Sequence, residues 1–244
     1  MKHIFRSLLM LLIPMLANAQ SLGPCTSQDL SFKDLFIACK GVAQDGKYTT
    51  EQQALAAIRA GLFNAITNGS ASMSLGMYVL ATEKGNLSGY SHIANMYKNG
   101  TGGTSKDYQK ALDYYYLDTS NSSTKAKGLA ELHLNGLGVK QNTAKAIGLF
   151  WVSITQRKDS VTASQICEAY SDDKYKYLDL VKAHMWCSVS IKLEESIVFK
   201  SVFEEKRMTI AQKLTRTQLQ ESNELLSRCM SRDFLFYCEI PKEY

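Results

Sequence analysis

The sequence predicts an all-α protein, an α-solenoid of antiparallel helix pairs with capping helices at both ends. Three observations predict it. Proline occurs only at Pro14, Pro24 and Pro241, so positions 25 to 240 are free of the residue that breaks a helix interior at a cost of about 3 kcal/mol. Apolar residues make up 45% of the 244 positions, enough for a packed core, without the frequent proline and glycine turns of a sandwich or barrel. The chain also repeats itself. Ile93-Ala94-Asn95-Met96-Tyr97-Lys98-Asn99-Gly100 and Leu129-Ala130-Glu131-Leu132-His133-Leu134-Asn135-Gly136 lie 36 positions apart, and each carries an aliphatic, a small residue and a ring at i, i+1 and i+4. Positions i and i+4 share a helix face, and the small residue beside them lets a neighbouring helix approach.

The elements follow in order. Residues 1–19 read as an address: Lys2 and Arg6, an apolar run from Leu8 to Leu16 interrupted by Pro14, then Ala17-Asn18-Ala19 as a cleavage site. This is the layout of a secretory signal peptide cut near Ala19; the run falls short of the roughly 20 residues that cross a bilayer. A periplasmic or secreted location is expected. Residues 20–48 form an N-terminal cap with a short helix around Ser31 to Lys40. Thr50 with Gln53 reads as a capping box opening a helix over 50–67. A second helix over 71–84 completes a divergent first repeat, about 50–86, whose end is Ala81-Thr82-Glu83-Lys84-Gly85-Asn86.

Three clearer repeats are expected at 88–122, 124–158 and 161–193, which with the divergent one make a solenoid over 49–193. In the first two, Gly100-Thr101-Gly102 and Gly136-Leu137-Gly138 end the first helix, because glycine accepts the positive φ of a C-terminal cap. Asp107 and Asn142 then cap a second helix, each three residues before Lys110-Ala111 or Lys145-Ala146. Tyr114-Tyr115 and Leu149-Phe150-Trp151 supply apolar bulk. The third copy begins at Ile166-Cys167-Glu168-Ala169-Tyr170, offers Asp173 and Tyr175 instead of the turn glycines, and continues with Asp179, Lys182-Ala183 and Trp186. Ring to lysine spans 13, 12 and 12 positions. Residues 194–244 should form one or two amphipathic helices with a more polar outer face, as a terminal cap needs, and a disulfide-tied tail.

The pattern of small residue, ring, Gly-x-Gly turn and capped Lys-Ala helix resembles the Sel-one-like repeat, a relative of the tetratricopeptide repeat. The closest match is Gly136-Leu137-Gly138-Val139 followed by Lys145-Ala146. The first copy departs from the family with Gly103 and one extra turn residue; the third lacks the glycines. The resemblance implies a right-handed superhelix and adaptor or scaffold roles for exported bacterial proteins. It also implies, in one subtype, neutralisation of a toxic effector by an immunity protein.

All six cysteines, Cys25, Cys39, Cys167, Cys187, Cys229 and Cys238, lie beyond the leader, and an even count in an exported chain favours disulfides. Fifteen pairings are open; loop shortness suggests Cys25–Cys39, Cys167–Cys187 and Cys229–Cys238. No Cys-x-x-Cys or His pair marks a metal site, and no cofactor motif occurs. The charge is +5, from 28 Lys+Arg against 23 Asp+Glu. Lys174-Tyr175-Lys176-Tyr177 is the nearest approach to a basic-aromatic patch. It reads as a solvated loop or helix end, and nucleic acid, which wants a concentrated basic stripe, is not an expected partner.

His92 and His184 fall on different repeats, with no Gly-x-Ser-x-Gly elbow or His-Glu-x-x-His pair beside them. His133 occupies the ring position of Tyr97 and Tyr170 and reads as a packed core residue. The Ser-x-x-Lys spacings at Ser122/Lys125 and Ser171/Lys174 are frequent by chance, and the sequons at Asn68, Asn86, Asn99 and Asn121 fall in serine-rich turns. The expected function is non-enzymatic: a monomeric protein that docks a protein partner on its concave face. The residues two before and one after each ring, Asn95 and Lys98, Glu131 and Leu134, Glu168 and Ser171, point away from the core as the candidate partner row, with Leu134 exposed among them. A weak β-lactamase-like hydrolase is the competing class, and an envelope protein without a tight partner is the third.

Overall fold

A computed structural model of the chain describes residues 22–67, 69–101, 103–230 and Cys238. The expected leader and most of the tail after 230 lie outside the described residues, as do Asn68 and Gly102. Among the described residues the regular structure is eleven α-helices and two short 3-10 turns, with no strand. The all-α class expected from the sequence is the class observed. The chain divides into two compact units, one ending at Gly128 and the other beginning at Leu129.

In the first unit, α1 (Phe32–Gln44) starts at the Ser31 cap and runs past Lys40. The Cys25–Cys39 bridge ties it to the preceding 3-10 turn. Helix α2 (Thr50–Ile66) opens with a capping box one residue earlier than the expected Thr50/Gln53 pair. The Thr49 N–H donates to Gln52 Oε1 at 2.8 Å, and the Gln52 N–H to Thr49 Oγ1 at 3.2 Å. Gln53 is instead buried, its amide donating to the Asp45 carbonyl at 2.7 Å. Helix α3 (Ala71–Glu83) packs on α2. A Cβ at Gly61 of α2 would collide with the Tyr78 ring, so glycine there sets how closely the two helices approach. Helices α4 (Ser88–Asn99) and α5 (Tyr108–Leu117) form the next pair, and Gly100 closes α4 at φ +67°.

Helix α6 (Ser123–Asn135) carries the boundary between the units. The second unit holds its last turns, α7 (Thr143–Arg157), α8 (Ser160–Ser171), α9 (Leu180–Leu193), α10 (Ile197–Ala211) and α11 (Arg216–Cys229). Its core is built from Ile147, Phe150, Ile154, Ile166, Tyr170 and Trp186, all sealed from solvent, and such side chains each contribute roughly 1.5–3 kcal/mol on burial. Fully buried bulk falls five residues after the lysine at Tyr115 and Phe150, and four after it at Trp186. Cys167 of α8 bonds Cys187 of α9, and Cys229 bonds Cys238. All three short-loop pairings are present.

Two expectations are corrected here. The Lys174-Tyr175-Lys176-Tyr177 segment is not a wholly solvated loop. Asp173–Tyr175 is a 3-10 turn that buries Tyr175, and Lys176 follows in the left-handed conformation at φ +54°. That residue supplies the backbone reversal for which the sequence offers no glycine. The C-terminal cap is polar outside on α11, where every exposed residue is polar, but α10 departs from the expected polar surface. On α10, Ile197 is 84% exposed, Val198 67%, Phe199 54% and Val202 55%. Only Phe203 and Ile210 of that helix are buried.

Candidate functional site

The repeat has a reproducible local geometry at the start of each second helix. Asp107, Asn142 and Asp179 hold the same extended backbone, with φ near −147° and ψ of 97°, 94° and 93°. Each donates its own N–H at 2.9 Å to the carbonyl of the ring residue upstream, Tyr97, His133 or Tyr170. Each side-chain oxygen accepts the N–H of the lysine three residues on, at 2.9, 2.9 and 3.0 Å. The caps therefore satisfy first-turn amides that have no intrahelical acceptor. The third copy shares this geometry fully, although its turn is built differently.

Side-chain chemistry separates the three. In the first, Lys110 lies 3.8 Å from Asp107 and 5.4 Å from the Tyr97 ring centroid. In the third, Lys182 lies 3.3 Å from Asp179 and 5.7 Å from the Tyr170 ring centroid. Each lysine has its acid and its aromatic face. In the middle copy the cap is the neutral Asn142 and the ring is His133, so Lys145 has neither. A cleft of about 580 Å³ opens there, lined by His133, Lys140, Asn142, Lys145, Tyr175 and Lys176 among others, with no acidic residue in its wall.

His133 is 7% exposed and occupies the core position expected from the sequence, but neither ring nitrogen has a hydrogen-bond partner. Burial, and then the charge of Lys145, lower its pKa from the ordinary histidine value. The other histidines are accommodated differently. His92 stacks on Tyr78 with centroids 4.8 Å apart. His184 Nδ1 lies 2.8 Å from Ser222 Oγ, and burial, then Arg207, lower its pKa.

The expected partner row is half-buried and largely tied into the molecule's own contacts. Asn95 Oδ1 accepts the Tyr115 hydroxyl at 2.6 Å, and Lys98 of the same helix is half-buried. In the second unit, Glu131 accepts the Gln165 amide at 3.0 Å. Glu168 takes Lys174 at 3.2 Å, the Tyr175 hydroxyl at 3.3 Å and Lys206 at 3.7 Å. Ser171 Oγ points back to the Glu168 carbonyl at 3.5 Å. Leu134 is not exposed: it is 4% accessible and belongs to the core cluster. One position past the ring falls on the side of α6 that meets the second unit's core, so this residue leaves the row.

The Ser-x-x-Lys spacings also resolve into structure. Ser122 Oγ accepts the Lys125 N–H at 3.1 Å and donates to Asp118 at 2.8 Å, while Lys125 Nζ donates to the Asp118 carbonyl at 2.6 Å. This is a helix start built around the buried Asp118, which also accepts Ser91 and Ser120. Lys174 is paired with Asp172 at 2.8 Å. No three His, Cys, Asp or Glu side chains gather as a metal cluster among the described residues. None of their helices is long and apolar enough to cross a membrane.

Antiparallel helix pairs, each second helix reset by an N-cap, define an α-helical repeat protein. Residues 87–117 and 127–150 match the Sel1 repeat family model, and the chain carries Sel1 repeats there. Among solved structures, the chain is similar to a Sel1 repeat protein from Oxalobacter formigenes. Identity is 20% and the TM-score 0.52, over 82% of this chain and 80% of that one. A second is c5321, a protective antigen of uropathogenic Escherichia coli with an SLR fold. It matches at 19% identity and a TM-score of 0.40, over 82% of this chain and 55% of that one. No curated protein matches the chain.

Proposed function

We propose that the protein is an exported, non-enzymatic, monomeric Sel1-repeat module that docks another protein, as a scaffold or as a neutraliser of a toxic effector. The observation that carries this reading is the exposed face of α10. At 100° per residue, Val198, Phe199 and Val202 fall within about 100° of one another on that helix. A cluster of large apolar side chains exposed together marks an interaction surface. Helix-pair repeats commonly serve as docking surfaces. Three disulfides and the leader-like residues 1–19 support export, since such bonds persist in oxidising compartments. The half-buried polar positions Asn95, Lys98, Glu131, Glu168 and Ser171 then belong to the rim of a partner surface rather than its centre, because their side chains are engaged internally.

The partner chemistry that fits α10 is an apolar helix or strand face of a second protein. Crosslinked affinity capture from periplasmic extract identifies the candidate, and the purified pair is then reconstituted. The expected result is a complex of one-to-one stoichiometry that Val202→Asp abolishes without changing the melting temperature. A reconstituted complex indifferent to Val202→Asp and Phe199→Ser would refute this assignment. So would export-independent localisation of the chain in the cytoplasm.

A further inference from the structure

We propose that the cleft at the start of α7 is a binding site for one oxyanionic group, a phosphate or a carboxylate. Lys140, Lys145 and Lys176 would hold it together with the first-turn amides of α7, over the His133 ring. The site does not depend on the protein-docking reading, which rests on α10.

Four observations converge on it. Helix α7 spans fifteen residues, so its N-terminus carries the partial positive charge that attracts anions. The amides of Thr143 and Ala144 have no intrahelical acceptor. Lys140, Lys145 and Lys176 are exposed at the cleft, and none of them makes an ion pair among the described residues. His133, more than nine-tenths buried, lines the same cleft with both nitrogens unpartnered. A buried polar group without a partner costs stability unless something else satisfies it, and a ligand that draws the ring toward the cleft would do so.

The sister repeats act as internal controls. The same backbone at Asp107 and Asp179 brings its own carboxylate to the lysine, which leaves no anion deficit. Asparagine at 142 in place of aspartate removes that carboxylate, and histidine at 133 in place of tyrosine puts a ring that can take up a proton and its charge where the sisters have a phenol. The middle repeat is thus a copy whose internal anion has been deleted, and the cleft volume leaves room for an external one.

The titratable groups lining the cleft are Lys140 from the turn, Lys145 from α7, and Tyr175, Lys176 and Tyr177 from the segment after α8. All are cations or phenols. With the cleft empty, burial and then Lys145 disfavour the protonated ring and outweigh the Lys140 backbone, which favours it. A bound anion reverses that balance and favours the imidazolium, so binding takes up a proton and tightens as pH falls.

The test is NMR of the imidazole ring signals in the disulfide-bonded full chain, titrated separately with inorganic phosphate and with acetate. Saturable movement of the His133 signals is expected with one or both anions, and the arm that responds assigns the phosphoryl or the carboxylate chemistry. The His133 titration midpoint should rise on binding, while the signals of His92 and His184 stay in place. Asn142→Asp restores the sister repeats' carboxylate and keeps a good N-cap. It should weaken binding by about tenfold or more, as should Lys145→Gln, each removing one charge-assisted contact. Lys182→Gln should have no effect. A His133 ring indifferent to both anions overturns the proposal. So does an Asn142→Asp protein that melts like the parent and binds equally well.

Discussion

The backbone N–H of Asn142 donates to the carbonyl of His133 at 2.9 Å, locking the end of one helix to the cap of the next. The same bond joins Asp107 to Tyr97 and Asp179 to Tyr170. It fixes where the second helix of each pair begins, and hence which residues of that helix enter the core. Because the bond is made by backbone, the ring and cap side chains are free to vary, and the middle copy has used that freedom.

Loss of a cap should cost stability without changing the fold. Asp107→Ala, Asn142→Ala and Asp179→Ala each remove the side-chain oxygen that accepts a lysine N–H. Each should destabilise by about 1 kcal/mol. Urea denaturation followed by circular dichroism measures this, and a neutral Asp179→Ala would show that the third copy is not capped.

Lys176 sits at φ +54°, where a side chain is strained and glycine is not. Lys176→Gly should therefore stabilise the protein by about 1 kcal/mol in the same assay, an uncommon direction for a surface substitution.

Helix starts were legible in the sequence because an N-cap is local: Asp107, Asn142 and Asp179 each satisfy an amide three residues away, and the Lys-Ala pair follows in register. The α2 start was legible only to within one residue. Thr49-Thr50-Glu51-Gln52-Gln53 offers two pairs at capping-box spacing, and the choice between them falls to Gln53, whose amide is needed by the Asp45 carbonyl. The turn at Lys176 carries no local signature, since the left-handed residue is imposed by the Tyr170–Asp179 closure. The burial of Leu134 and the exposure of α10 were illegible for a different reason. Both depend on which surfaces neighbouring helices cover. The cleft at His133 needed the Tyr175–Tyr177 segment placed against the α7 start, a contact across 32 positions that the Thr143 hydroxyl to Tyr175 carbonyl bond records at 2.8 Å.

Gly61 and Gly128 permit close helix approach in the first unit. A Cβ at Gly61 meets the Tyr78 ring and one at Gly128 meets Tyr115. Gly61→Ala and Gly128→Ala should each destabilise by about 1–3 kcal/mol through overpacking, despite the higher helix propensity of alanine. Thermal melts of the two variants decide it.

Acid should weaken the fold through its buried histidines. Burial holds the pKa values of His133 and His184 below the ordinary histidine value, so as pH falls through that ordinary value the unfolded chain takes up protons that the folded chain refuses. Their contribution is complete above the unfolded pKa and is lost as pH falls below it. The slope is at most about 1.4 kcal/mol per pH unit for each histidine. Denaturation midpoints between pH 7.5 and 5 should fall, and His184→Gln should flatten that fall.

The Cys167–Cys187 bridge joins the two helices of the third copy. Replacing both cysteines by alanine should cost about 3 kcal/mol through unfolded-state entropy. Mass mapping of the unreduced protein should return Cys25–Cys39, Cys167–Cys187 and Cys229–Cys238 with no free thiol.

Amide hydrogen exchange at Asp107, Asn142 and Asp179 reports most directly on the claim that one helix-pair brick is repeated with a common closure. All three N–H groups lie outside helical ladders, and their protection comes from the carbonyls of Tyr97, His133 and Tyr170. The account predicts slow exchange at all three. Exchange of Asp179 or Asn142 at the rate of an open loop, with Asp107 protected, would contradict it.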